Sequence, residues 1–240
     1  MSDLLIIKNV TREGPGLLEP VLQKHHVSFD VVDLDQGEAF PNLVGYKALV
    51  ILGGPDSAND ATPKMAKERE QMKYALDNGL PILGICLGMQ LLVKVGGGRV
   101  VPGTRVEAGF ISPSNAPYET KVTRAGASDP LLAGLATTLP VFQLHGEVVE
   151  LAPEMKLLAT AAVTPNQIVK IGMKAYGMQS HFELTDQLLQ VWAAEDPALQ
   201  PIGYEALKAE FEKIKGAYTA TGERLLENFL GIAGLLQSAN

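Results

Sequence analysis

Three short apolar runs, Leu4–Lys8, Lys47–Leu52 and Pro81–Ile85, recur along the first third of this chain with helical stretches between them. A strand that is apolar at every position has no solvent side, so both faces of its sheet must be covered. Alternation with helices makes that sheet parallel, because parallel neighbours need a crossover. The intervening segments fit. Gly16–His25 reads as a helix, and Val27–Leu34 as a strand of alternating character. Pro63–Asn78 reads as a charged amphipathic helix stopped by Asn78-Gly79. The third run leads into a helical pattern opening with Met89, Gln90, Leu91 and Leu92 and ending in Gly96-Gly97-Gly98. From Arg99 to Met178 the reading changes to strands and turns: Tyr118–Thr123, Leu139–Leu144, Met155–Ala162, Gln167–Met173 and Ala175–Ser180. Leu184–Ala194 returns to helix.

Residues 1–194 therefore read as one α/β domain and 195–240 as a helical extension. Asp196-Pro197 and Gln200-Pro201 break the preceding helix. Tyr204, Leu207, Phe211 and Ile214 share one helical face, and Leu225, Leu226, Phe229, Leu230, Ile232 and Leu235 suggest a second helix. Both are expected to pack on the main domain, with a homodimer contact as the alternative. A length of 240 residues suffices for a sizeable core, and a 46% hydrophobic fraction excludes wholesale disorder. One cysteine excludes a disulfide framework. The start has no basic region before its apolar run and reads as a first strand, not a signal peptide. Leu80–Val93 is too short to span a bilayer. A net charge of −7 without a basic cluster argues against nucleic acid and anionic membranes as partners. A cytoplasmic enzyme is the expectation. Neither a P-loop nor a metal-ligand cluster is visible, so no cofactor and no metal are expected.

The single cysteine, Cys86, sits in Gly84-Ile85-Cys86-Leu87-Gly88 between the third strand and its helix. This is the form of a nucleophile elbow, a sharp turn that presents one side chain at the top of a sheet. A helix start also supplies free N–H groups and a dipole that favour a thiolate. A cysteine nucleophile needs a base, an orienter for the base and donors for an oxyanion. Of four histidines, His25 and His26 lie at a polar helix end, leaving His145 and His181 as candidates. Glu183 follows His181 by two positions. In an extended segment such residues point the same way, about 6.6 Å apart, so the carboxylate can fix the imidazole tautomer. Gly53-Gly54-Pro55 ends an apolar strand and can turn an N–H toward the nucleophile. The N–H of Leu87 supplies a second donor in an elbow. Alone, Gly-Gly-Pro reads as a strand-ending turn and His-x-Glu as a surface strand.

Taken in order, four motifs resemble those of class I glutamine amidotransferases. They are Gly53-Gly54-Pro55 with Asn59-Asp60, Gly84 to Gln90, Gln143-Leu144-His145-Gly146-Glu147, and Gln179-Ser180-His181-Phe182-Glu183. Within that superfamily the chain is similar to stand-alone proteins related to the amidotransferase domain of GMP synthase. The resemblance implies a flavodoxin-like three-layer α/β sandwich with a mainly parallel central sheet. It implies a Cys86–His181–Glu183 triad, oxyanion donors at Gly54 and Leu87, and a glutamine pocket involving Gly53, Gln90 and His145. It also implies hydrolysis of glutamine or a γ-glutamyl compound, with a synthase partner subunit receiving ammonia. No ATP-binding signature follows the amidotransferase region. A self-sufficient γ-glutamyl hydrolase or peptidase therefore stands as the alternative, and a non-catalytic binding protein as a third reading. Where the family usually has an aromatic before the histidine and a proline after it, this chain has Ser180 and Phe182. A small Ser180 would leave room near the scissile nitrogen, and Phe182 would offer an apolar face or point into the core; the alternative is that both are neutral packing swaps.

Overall fold

A computed structural model describes residues 2–236. Its elements, in chain order, are β1 (Leu4–Lys8), α1 (Leu18–Lys24), β2 (Phe29–Asp33), β3 (Ala48–Ile51), α2 (Pro63–Asp77), β4 (Ile82–Ile85) and α3 (Leu87–Val95). There follow β5 (Arg99–Gly109), β6 (Glu119–Val122), α4 (Arg124–Ala127), β7 (Thr138–Pro140), β8 (Gln143–Glu150), β9 (Lys156–Thr160), β10 (Ile168–Ile171), β11 (Ala175–Met178), α5 (Asp186–Glu195) and α6 (Tyr204–Ile232).

Successive strand residues point to opposite faces, and here both faces are dry. Leu4 and Ile6 of β1 join Ala48, Val50, Leu83 and Ile85 in one core, packed with Leu18 and Leu22 of α1, Leu189 of α5 and Phe211 of α6. Leu5 and Ile7 join Leu49, Ile51 and Ile82 in the other, with Met65 and Met72 of α2 and Leu91 and Leu92 of α3. Each such side chain gains about 1.5–3 kcal/mol from burial, so polar substitution on either face of these strands is costly. The result is a three-layer α/β sandwich.

The main sheet has nine strands in the order β2-β1-β3-β4-β11-β10-β9-β6-β7. β2, β1, β3, β4 and β11 form a parallel block. The remaining four strands add antiparallel. β5 and β8 form a separate antiparallel ribbon whose register shifts between Pro102 and Glu107. The sequence reading has no counterpart of β5. That strand is only partly buried, carries Pro102 and Gly103, and has no apolar face to reveal it. The single strand expected over Leu139–Leu144 is two: β7 ends at Pro140 in the main sheet, and β8 begins at Gln143 in the ribbon.

The two helices expected after residue 204 are one, the 29-residue α6. Leu207, Phe211, Tyr218, Leu225, Phe229 and Leu230 keep one buried stripe along it, so the polar stretch between the apolar clusters turns outward without ending the helix. Gly222 lets α6 approach closely. A β-carbon there would lie 2.2 Å from the Phe182 carbonyl oxygen. No described helix is long and apolar enough to cross a membrane.

Candidate active site

In open α/β sheets, ligands bind beyond the carboxyl ends of the parallel strands, and Cys86 stands there between β4 and α3. Its backbone has φ 52° and ψ −107°, a region that costs a non-glycine residue about 1–3 kcal/mol. The cysteine itself bears the strained conformation. The flanking glycines serve close approach instead. A β-carbon on Gly84 would meet the Gly88 backbone at 2.4 Å, and one on Gly88 would meet the Ile51 oxygen at 2.1 Å. The turn is pinned by the Cys86 N–H donating to Met178 O at 2.7 Å and by Gln90 N–H donating to Cys86 O at 3.0 Å. The thiol donates to the Leu144 carbonyl at 3.6 Å, and Gln179 Nε2 donates to the sulfur at 3.8 Å.

His181 and Glu183 follow β11. His181 Nδ1 and Glu183 Oε1 lie 2.6 Å apart, and the Phe182 N–H donates to Glu183 Oε2 at 2.9 Å. That bond occupies Nδ1 and leaves Nε2 without a hydrogen-bond partner. Burial alone would lower the His181 pKa. The Glu183 carboxylate and the neighbouring Cys86 sulfur outweigh it and hold the imidazole well above its usual value. The segment is braced from behind. Its His181 N–H donates to Phe142 O at 2.9 Å, and Leu17 N–H donates to Glu183 O at 2.8 Å. Tyr218 of α6 donates its hydroxyl to His181 O at 2.8 Å and accepts from Leu184 N–H at 3.3 Å. The Trp192 ring meets the imidazole edge-on at 4.9 Å.

In front of Cys86 opens a cleft of about 190 Å³, below the ~300–1,000 Å³ of drug-sized sites and suited to an amino-acid-sized ligand. Its lining includes Gly54, Cys86, Gln90 and His145, with Arg12, Glu13 and Asp196. Gln90 Nε2 donates to Glu147 O at 3.2 Å. His145 lies 3.6 Å from Glu107, too far for a hydrogen bond, and both its ring nitrogens are unpartnered. Burial, reinforced by the charge of His181, pushes its pKa down to about 4, so it is neutral at pH 7. No ion pair forms with Glu107, whose carboxylate is held by Thr164. Gly53 lies behind the lining, where a β-carbon would stand 3.2 Å from His181 Cε1 and 3.4 Å from Cys86 Cβ. Leu87 is buried as the first residue of α3, a position with no intrahelical acceptor for its N–H. Among the described residues no group of His, Cys, Asp and Glu is arranged to hold a metal.

Cys86, His181 and Glu183 thus come together, with Gly53 against His181 and Cys86, and Gly54, Gln90 and His145 lining the cleft. Ser180 and Phe182 do not shape the cleft. Both are fully buried, neither lines it, and Phe182 packs in the core. Sequence reasoning passed over Glu13, Trp192 and Tyr218. Glu13 carried a signal, an acidic residue before Gly14-Pro15-Gly16 just after the first parallel strand. For Trp192 and Tyr218, on distant helices, there was none.

Similarity to known proteins agrees with this architecture. A glutamine amidotransferase from Thermotoga maritima superposes with a TM-score of 0.83 at 27% identity, covering 95% of this chain and 97% of that one. GMP synthase (glutamine-hydrolyzing) from Vibrio atlanticus is 29% identical over 216 residues, 88% of this chain and 38% of that protein. The chain therefore spans about two fifths of the length of that relative. The glutamine amidotransferase-like protein YfeJ of Salmonella typhimurium is 31% identical over 160 residues, 64% of each chain. The family model described as glutamine amidotransferase class-I matches residues 17–190, more than half of the sequence, and the chain belongs to that family.

Proposed function

We propose that this protein hydrolyses the side-chain amide of glutamine through a γ-glutamyl thioester on Cys86 and releases ammonia for transfer to an acceptor. The observation that carries the reading is the 2.6 Å His181–Glu183 contact, which occupies Nδ1 and leaves Nε2 as the nitrogen that exchanges a proton with the cysteine. His181 takes the Cys86 proton, and the sulfur attacks the amide carbon. The N–H groups of Gly54 and Leu87 face the developing oxyanion. His181 returns the proton to the leaving nitrogen, the C–N bond breaks, and ammonia departs. His181 then activates water, which cleaves the C–S bond and releases glutamate. Glu183 holds the tautomer and balances the imidazolium. Gln90, His145 and the Gly53 turn bound the site for the glutamine head group.

In this reading residues 1–194 are the amidotransferase unit and 195–240 an extension whose helix α6 buttresses the His181 segment through Tyr218. A synthase subunit would take up the ammonia, as the name of the glutamine-hydrolyzing GMP synthase relative suggests. The test is direct. The purified protein is assayed for glutamate and ammonia from glutamine, alongside Cys86→Ala. Wild-type turnover with loss in Cys86→Ala, both folded by circular dichroism, is the expected result. Turnover retained by Cys86→Ala overturns the mechanism.

A further inference from the structure

The reaction above leaves one buried ionisable group at the cleft unused. Glu13, in the loop between β1 and α1, is 5% exposed and lines the cleft beside Cys86. Its Oε2 has no hydrogen-bond partner. A buried carboxylate oxygen without a donor is unfavourable unless something in the working state supplies one. The β-carbon that Gly53 lacks would stand 2.3 Å from this oxygen, the same point being 3.2 Å from His181 Cε1 and 3.4 Å from Cys86 Cβ. Glycine at position 53 thus makes room for the carboxylate against the imidazole and the nucleophile. The loop is anchored as well. Gly16 has φ +54° with the Glu183 carbonyl where a β-carbon would sit, and Leu17 N–H donates to that carbonyl. Glu13 therefore keeps station relative to the His181 segment.

Resting on the thioester mechanism, we infer that Glu13 receives the N–H groups of the leaving nitrogen as the amide breaks. When the tetrahedral adduct collapses, the C–N electron pair stays on nitrogen and a proton arrives from His181 Nε2. The departing group is then ammonia, or an amine from a γ-glutamyl amide. Once protonated, and before the C–N bond breaks, that nitrogen carries positive character and presents N–H donors beside the imidazole. A carboxylate there offsets the developing charge, whereas next to the oxyanion it would repel. The chemistry selects amide nitrogens over leaving groups that carry no N–H. Burial first, and the Glu183 charge in addition, push the Glu13 pKa up to about 7, with His181 and Arg12 opposing and Asp196 reinforcing. The group can therefore exist in either protonation state near neutral pH.

The test compares glutamine with glutamate γ-methyl ester in wild type, Glu13→Gln and Glu13→Asp. Circular dichroism establishes folding. A charge-assisted hydrogen bond lost at the leaving nitrogen predicts that kcat on glutamine, relative to kcat on the ester, falls about 10- to 100-fold in Glu13→Gln. Glu13→Asp should recover part of the ratio. An unchanged ratio in Glu13→Gln overturns the inference. So does a rise in KM of equal size for both substrates, which would place Glu13 on the substrate's α-ammonium. Wild-type protein inactive on both substrates refutes the thioester mechanism itself, and this inference falls with it.

Discussion

Removing a single hydroxyl at Tyr218 tests whether α6 serves the site. Tyr218→Phe keeps the ring in its fully buried position and deletes two hydrogen bonds, one to His181 O at 2.8 Å and one from Leu184 N–H at 3.3 Å. Both backbone groups are buried and neither gains a new partner. An unsatisfied buried group costs about 1–3 kcal/mol, and the longer Leu184 bond contributes less, so about 2 kcal/mol is expected in all. For a chain of this size that lowers Tm by about 4–8 °C, and the urea midpoint should fall at constant m. The released carbonyl belongs to His181, the base in the proposed mechanism. Small displacements of a reacting group cost up to about 100-fold, so kcat on glutamine should fall about 10-fold with KM little changed. Phe229→Leu is the control. It loosens buried packing of α6 elsewhere by a comparable ~1–3 kcal/mol and should leave kcat within about twofold at 25 °C. If Tyr218→Phe melts like wild type and turns over at the wild-type rate, α6 is not the brace argued here. Equal kcat losses in both variants would show a general softening instead.

Three further outcomes are expected. Glu183→Gln should cut kcat by at least ~10-fold, by less than His181→Ala, and shift the acidic limb of the pH–rate profile. Without the carboxylate, burial is left to lower the imidazole pKa, so that limb moves to lower pH; an unmoved limb would show that another group orients His181. Gly88→Ala should destabilise by ~1–3 kcal/mol or more, because its β-carbon would lie 2.1 Å from Ile51 O, and a wild-type melting curve would refute that close approach. Glu68, fully buried on α2 with both oxygens unpartnered, has its pKa pushed up to about 7 by burial. The folded protein keeps a proton that the unfolded chain sheds above about 4.5, so stability falls as pH rises through that window. Relative to wild type, Glu68→Gln should gain up to about 3 kcal/mol between pH 5 and pH 8 in urea unfolding, and an equal difference at both pH values would contradict it.

β1, β3 and β4 of the parallel block were legible in the sequence because they are apolar on both faces, and only burial on both sides accommodates that. The elbow was legible because Gly84, Cys86 and Gly88 mark a strand-to-helix turn locally, and His181 with Glu183 because their spacing of two is itself a contact. The β5–β8 ribbon was not. Its strands show no regular apolar alternation, and their pairing depends on distant partners rather than on a pattern within either one. Local composition left open whether Ser180 and Phe182 face the cleft or the interior; packing buries both, with Phe182 in the core. Only the tertiary structure places Glu13 beside His181 and Cys86, or Tyr218 beneath the His181 carbonyl. These contacts join residues far apart in the chain, and no periodicity records which oxygen a fold leaves without a partner. The sequence by itself determined the layers, the turn that carries the cysteine and the spacing of its base. The packing of loops and helices against that turn decided which further groups reach it.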